Sequence, residues 1–314
     1  MLYPPLDYDD GRLPDNQPVI QTRNVTRFFR WMNVLELSGD SYPMIALALG
    51  KSGFGKTVTS QAYMDSLPSL AHNGLPRGIK IVVKPRSTGR ALAVDILKHL
   101  GETPRRTNVY ELGDDAADAI KDNMLAFLMF DEADRLNEDS FESLRHIFDS
   151  AKVPIVLVGL PKILRVINLH TKFKSRVGLY YKYEALTRAE VLDVVLPGLV
   201  FPYWQYDTTS GDDKALGRLI YKKTGPSFRK LRMLVQLASM LVATTSNGLE
   251  TAKITPEIIQ EASNWMDAEE RYERQNDRED KELDEGQEPG PQSGTREQQS
   301  EQRYRANREG WGHR

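Results

Sequence analysis

Gly50-Lys51-Ser52-Gly53-Phe54-Gly55-Lys56-Thr57 fits the pattern G-x-x-x-x-G-K-[ST] at every fixed position. No other stretch of the 314-residue chain restricts its fold so tightly. Before it stands a short apolar run, Pro43-Met44-Ile45-Ala46-Leu47-Ala48-Leu49, and after it Val58–Leu67 reads as helix. A buried parallel strand that turns through glycines into a helix is a phosphate loop. Glycines let the backbone wrap closely enough for successive N–H groups to face phosphate oxygens. Lys56 supplies a point charge for the outer phosphates, and the Thr57 hydroxyl is placed to ligate magnesium. The helix starting near Lys56 adds its positive end. Gly50–Thr57, with Val58 after them, are therefore expected to bind ATP, with magnesium on Thr57.

The pattern around this loop repeats. Ile79-Lys80-Ile81-Val82-Val83, Met124–Phe130, Pro154–Val158 and Gly178–Tyr183 read as further strands. Between them, Gly89–Leu100, Asp114–Asp122, Glu138–Ser150 and Lys162–His170 read as helices. Strands alternating with helices predict an α/β fold, a parallel sheet covered by helices on both faces. Upstream, Val25, Phe28, Phe29, Met32 and Leu35 recur at helical spacing within Thr22–Leu37. After Leu186 the strand signal stops. Thr187 and Glu190 form a capping box, and the helices Ala215–Lys223, Phe228–Ala243 and Pro256–Met266 predict a small all-helical lid. The expected division is a flexible arm at 1–18, an ATPase core at 19–186, a lid at 187–268 and a charged, largely disordered tail at 269–314. In that tail Leu283 is the only branched aliphatic residue.

Composition narrows the class. A hydrophobic share of 40% and a charged share of 27% fit a globular chain. No apolar run approaches the roughly 20 residues of a membrane span. Met1-Leu2-Tyr3-Pro4-Pro5 lacks the start of a secretory signal, so a cytoplasmic protein without a membrane partner is expected. The chain has no cysteine, and His72, His99, His146, His170 and His313 show no ligand spacing, which excludes thiolate metal sites and disulfides. A net charge of −2 says nothing about nucleic acid, although without its tail the chain is more basic.

Phe130-Asp131-Glu132-Ala133-Asp134 closes the third strand, where an acid can face the phosphate loop from a neighbouring strand. Asp131 is expected to hold magnesium, usually through water, and Glu132 to orient and polarise the attacking water. Asp134 and Arg135 are expected on an exposed loop face. Asp-Glu-Ala-Asp also occurs in helicases, but those carry a second sheet domain, which nothing after Leu186 could build.

With these motifs placed, the chain resembles the TnsC/TniB/MuB group of AAA+ regulators of DNA transposition, most closely the short TnsC and TniB proteins. The resemblance runs from about Asn24 to Met266. It rests on Gly50–Thr57, Leu128-Met129-Phe130-Asp131-Glu132-Ala133-Asp134-Arg135-Leu136, Pro154-Ile155-Val156-Leu157-Val158-Gly159 and Gly225-Pro226-Ser227-Phe228-Arg229. It implies an AAA+ P-loop core with a helical lid. It also implies a homo-oligomer, ring or helical filament, that winds on double-stranded DNA without reading sequence. Such an oligomer recruits a transposase, with a target-selection protein as a further partner. Carried over by position, Arg176 falls where an arginine finger stands, the competing reading being a surface arginine beside Lys172 and Lys174. Arg229 falls at the lid's sensor position, with Arg232 as the fallback. Where a polar sensor is expected after Val158-Gly159, this chain has Leu160, which implies slow hydrolysis or a sensor elsewhere. The loops carrying Lys84, Arg86, Arg90 and Thr107 correspond to the DNA-lining surface, against the reading of solvated loops. Tyr180, Tyr181, Tyr183, Tyr203 and Trp204 are expected to pack near the core–lid junction, while Tyr304 and Trp311 lie in the tail. Two other classes stay open: a helicase loader or replication-type ATPase, and a nucleotide-gated scaffold that never touches DNA.

Overall fold

The computed structural model describes residues 19–38, 41–67, 77–199, 204–245 and 253–266, and the structural statements below concern these residues. The elements run α1 (Arg23–Ser38), β1 (Ile45–Leu49), α2 (Lys56–Ser66), β2 (Gly78–Val82), α3 (Gly89–His99) and α4 (Val109–Asp122). Then follow β3 (Phe127–Asp131), α5 (Glu138–Ala151), β4 (Ile155–Gly159), α6 (Ile163–Leu169), α7 (Thr171–Lys174) and β5 (Val177–Lys182). A helix over 188–198, here α8, contains a π-turn at Val191–Val195. Two longer helices, α9 (Gly211–Thr224) and α10 (Phe228–Thr245), follow. A last helix, α11, covers 256–266. It crosses the boundary between the two compact units of the chain, Met1–Gln260 and Glu261–Arg314, and the packing below is that of the first unit.

The five strands are all parallel, in the order β2-β3-β4-β1-β5. Their side chains alternate between two cores because successive residues of a strand face opposite ways. Ile45, Leu47, Ile81, Leu128, Phe130, Ile155 and Leu157 pack with α3, α4 and α5 on one face. Ala46, Ala48, Phe127, Met129, Val156 and Val158 meet α1, Tyr181 of β5 and Tyr183 just after it on the other. Both faces are covered, so β1, β3 and β4 are buried throughout, as their unbroken apolar runs predict. This is an AAA+ P-loop NTPase fold with a helical C-terminal region. α1 buries Val25, Phe28, Met32 and Leu35 as its spacing predicts, plus Trp31. Phe28 is fully buried among Trp31, Tyr63, Tyr181 and Tyr183, which is worth about 1.5–3 kcal/mol for its side chain alone.

Several expectations shift. β3 is not adjacent to β1, because β4 lies between them, so Asp131 approaches the glycine loop from two strands away. α4 starts five residues earlier than expected, because the Asn108 side chain caps it by accepting the Tyr110 N–H. Met124, expected in the strand, instead has φ +50 and closes the end of α4, so β3 begins at Phe127. The capping box forms only in part. Thr187 accepts the Glu190 N–H at 3.2 Å, but Glu190 turns both carboxylate oxygens to the Arg23 N–H and Nε at the start of α1. Tyr181 and Tyr183 are buried as expected, whereas Tyr180 faces outward because edge-strand residues alternate. Trp204 donates to Asp213 and packs edge-on to Tyr206. Tyr203, Tyr304, Trp311, the arm at 1–18 and the tail at 269–314 lie outside the described residues.

Candidate functional site

Three strand ends meet on the C-terminal edge of the sheet. The Gly50 N–H donates to the Gly159 carbonyl at 3.2 Å, and the Tyr183 N–H donates to the Leu49 carbonyl at 2.8 Å. The start of the loop is thereby fixed between β4 and the residue after β5. A Cβ on Gly50 would lie 2.5 Å from Tyr183 Cβ, so no other residue fits beneath this aromatic ring. Gly53 has φ +78, and a Cβ there would lie 2.6 Å from Ser227 Oγ of the helical region. The result is a cradle of backbone at the head of α2 that side chains would fill. Lys56 opens that helix and turns its Nζ to the Lys51 carbonyl at 3.0 Å. Burial lowers the Lys56 pKa; the carboxylates of Asp131, Glu132 and Asp134 oppose this, and Arg229 adds to it.

Asp131 is 1% exposed at the end of β3. Its Oδ1 accepts the Glu132 N–H at 2.9 Å. Lys80 Nζ, from β2, lies 3.3 Å from Oδ2. No aligned hydrogen bond reaches that oxygen among the described residues, so the two are an ion pair and a buried lone pair stays open. The same ammonium sits 3.3 Å from both the Thr57 carbonyl and Gln61 Oε1. Burial lowers the Lys80 pKa, against the pull of Asp131. A buried carboxylate oxygen with an open lone pair suits a hard divalent cation, and the backbone cradle suits a phosphate. The residues present therefore fit magnesium and a nucleotide.

Glu132 holds a left-handed conformation (φ 57, ψ 33), a strain of order 1–3 kcal/mol for a non-glycine residue. Its carboxylate lies 3.7 Å from Arg135, whose Nη1 donates to the Val83 carbonyl at 3.2 Å. Asp134 corrects an expectation: its side chain is 5% exposed rather than on an open loop face. The short turn Ala133–Arg135 carries it under β4, where Oδ1 accepts the Leu160 N–H at 3.0 Å and Oδ2 meets Lys162 Nζ at 3.0 Å. Burial disfavours the charged form, but the Leu160 and Lys162 donors outweigh it and hold the Asp134 carboxyl below the usual range.

The helical region closes over the loop. Arg229 Nη1 donates to Ser52 Oγ at 3.1 Å, and its N–H to the Gly53 carbonyl at 3.4 Å. Beside them an apolar cleft is walled by Val19, Ile20, Phe54, Val58, Leu199 and Phe228, with Arg232 at its margin. The cleft reaches the glycine loop at Gly55, so an apolar surface adjoins the backbone cradle there. The wall is held by reciprocal bonds. Asn24 Nδ2 donates to the Glu184 carbonyl at 2.8 Å, and the Glu184 N–H donates to Asn24 Oδ1 at 3.0 Å.

Other candidate residues lie elsewhere. Arg176 is forked on Asp149, with Nε and Nη2 each 2.6 Å from one oxygen, and its Nη1 meets the Lys172 carbonyl. Burial works against Asp149, but Arg176 and Arg145 together hold its carboxyl low. Arg90 and Thr107 come together, the guanidinium donating to the Thr107 carbonyl. Lys84 lies 3.7 Å from Asp95, and Arg86 has φ +59 at the turn between them. Sequence reasoning missed Lys80, Asp134, Asp149 and the apolar cleft. A lysine in mid-strand was a readable signal for the first. The cleft residues carry none, since singly each looks like core.

Residues 39–167 match a family model described as AAA domain. A Staphylococcus aureus protein named "Potential ATP-binding protein" is 25% identical over 273 residues, covering 79% of this chain and 96% of its own. Cdc6p from Pyrobaculum aerophilum is similar in structure, with TM-score 0.63, 18% identity, and 80% of this chain and 69% of its own covered. The Aeropyrum pernix ORC1 protein, solved in complex with DNA, gives TM-score 0.60, 19% identity and coverage of 81% and 68%. Its ORC2 protein in an ADP form gives 0.60, 15%, 82% and 71%.

Proposed function

We propose that the chain is an ATP-dependent switch that assembles on duplex DNA, of the kind that regulates transposition. The observation that carries the switch is the convergence of the Gly50–Thr57 cradle, the buried Asp131 and Arg229 from the helical region on one site. In this reading Gly50–Val58 hold the phosphates, Lys56 takes the outer ones, and Thr57 with Asp131 hold magnesium. The base lies in the cleft of Val19, Ile20, Leu199 and Phe228. Glu132 would orient and polarise the attacking water and accept its proton. Held by Thr57 and Asp131, magnesium would draw charge from the phosphates, and hydrolysis of ATP would reset the switch. Arg229 ties the helical region to the loop, so bound nucleotide and lid position are linked through it. Residues 187–268 act as this lid, and 19–186 as the core.

Arg176 acts as a finger on a neighbouring subunit only by exchanging Asp149 for a phosphate, so assembly and catalysis are coupled through that fork. Arg90, Lys84, Arg86 and Thr107 face the DNA backbone and supply salt-sensitive binding without base readout. Recruitment of a transposase, alone or with a target-selection protein, rests on the sequence resemblance. The fold shared with the DNA-bound ORC1 protein favours a second reading, a replication-type ATPase.

Anisotropy of a labelled random-sequence duplex tests this, with ATP, a slowly hydrolysed analogue, ADP or no nucleotide, at two salt concentrations. Tight, cooperative binding in the ATP-like states alone is expected, weakening steeply with salt. Absence of binding in every state would sink the DNA mechanism and leave the nucleotide site standing. A strong preference for one duplex sequence would favour the replication reading.

A further inference from the structure

Lys80 has no role in the site as described, yet its ammonium is buried at the site's centre. Ile79 and Ile81 on either side point into one core, so strand alternation sends Lys80 to the opposite face, toward α2. Its side chain is 8% exposed. A buried lysine is tolerated only when its charge is paired, and ordinarily the partner is an acid with no other task. Here the partner is Asp131 at 3.3 Å, and the second contact is the backbone of Thr57, also at 3.3 Å. These are the two residues assigned to magnesium. Gln61 Oε1, a turn further along α2, completes the set, and Gln61 is itself bonded to Asp65 at 2.8 Å.

We propose that Lys80 is a positioning residue of the metal site: it balances the Asp131 carboxylate and ties it to Thr57 while the site lacks metal, and its charge sets how tightly the site takes a divalent ion. This rests on the reading of the site as one for magnesium and ATP. The physical reason is the competition of two cations for one carboxylate. Lys80 removes the cost of a lone buried charge on Asp131, and the same positive charge repels an arriving divalent ion. The site is thus kept assembled at the expense of metal affinity.

Melting temperature in ATP with EDTA, followed by magnesium titration, tests this on the full chain as wild type, Lys80→Met and Lys80→Arg. In EDTA, Lys80→Met is expected to melt below wild type, because Asp131 loses its counter-charge. Its half-saturating magnesium concentration is expected to be on the order of tenfold lower. Lys80→Arg keeps the charge and is expected to follow wild type in both measurements. A purely packing role would lower melting equally with and without metal and leave the magnesium midpoint unmoved, which would overturn the proposal. Lys80→Gln carries the same test should the methionine variant not fold. Neutral variants that remain unfolded at saturating magnesium and ATP would also overturn it, since the lysine would then be holding the fold and not the site. Wild type that gains nothing from ATP and magnesium would overturn the nucleotide reading, and this proposal with it.

Discussion

Gly50 and Asp134 show how single residues set the site. Replacing Gly50 by Ala drives a methyl group to within 2.5 Å of Tyr183 Cβ, and the ring is fully buried beside Phe28. The expected cost is about 1–3 kcal/mol, read from the midpoint of urea unfolding, with nucleotide binding lost because the loop must move. Asp134 holds the ends of β3 and β4 together through Leu160 and Lys162. Its folded pKa is depressed, so its contribution is fully present above the unfolded carboxylate value near 4 and is lost as pH falls through the folded value. The stability gap between wild type and Asp134→Asn is therefore expected to be widest above about pH 4 and to narrow below it. Urea midpoints from pH 3 to 7 measure that gap, and one that widens toward acid would contradict the assignment. Legibility at this scale was uneven. The loop glycines are readable because a sharp backbone turn demands them. Asp134 was misread because its burial comes from β4, a segment over twenty residues away in sequence.

Among the elements, α1 and α10 decide the shape of the cleft. α1 is anchored by Asn24 to the backbone of Glu184 and by Glu190 to its own first N–H. A carboxylate at a helix N-terminus is favourable there, since it answers both free N–H groups and the helix dipole. Asn24→Ala removes both part-buried hydrogen bonds to the Glu184 backbone, and a loss of about 0.5–1.5 kcal/mol per bond is expected from thermal or urea unfolding. Glu190→Gln is expected to speed amide exchange at Arg23 and nearby positions before global stability falls appreciably. On the other side, Arg229→Ala removes the bond from α10 to Ser52. Nucleotide affinity is expected to fall by about tenfold, the weight of one charge-assisted hydrogen bond, with the melting temperature of the nucleotide-free protein little changed. Isothermal titration with a slowly hydrolysed analogue measures it. The helical periods of α1 and α10 are legible in sequence because each buries one face. Their meeting across the glycine loop is not, since no local pattern records which distant element a face will meet.

At the scale of the molecule, the separation of the sites is what matters. The loop pair Arg90–Thr107 and the fork Arg176–Asp149 are each closed by bonds of their own, outside the Gly50–Thr57 loop; in the function proposed above, DNA and a neighbouring subunit are each engaged there. Charge reversal at Arg90 and Lys84 is expected to weaken duplex binding by more than tenfold at low salt and to flatten its salt dependence. ATP binding by the same variant should remain as in wild type. Arg176→Ala is expected to lose on the order of 10³-fold in DNA-stimulated hydrolysis while binding ATP normally. Normal turnover on DNA would remove the finger assignment. No helix among the described residues is long and apolar enough to cross a membrane.

From its order of residues alone, this chain determined the alternating α/β pattern, the phosphate loop and the acids that close β3. Each of these is a local demand, made by backbone conformation or by a strand buried on both faces. Only the tertiary structure decided that β4 separates β1 from β3, that Glu190 serves α1 instead of its own helix, and that Lys80 shares Asp131. Those are choices of partner for a charge or a buried polar group. Such a choice is made by whichever complementary group the fold brings within about 3–4 Å, a distance unrelated to separation along the chain.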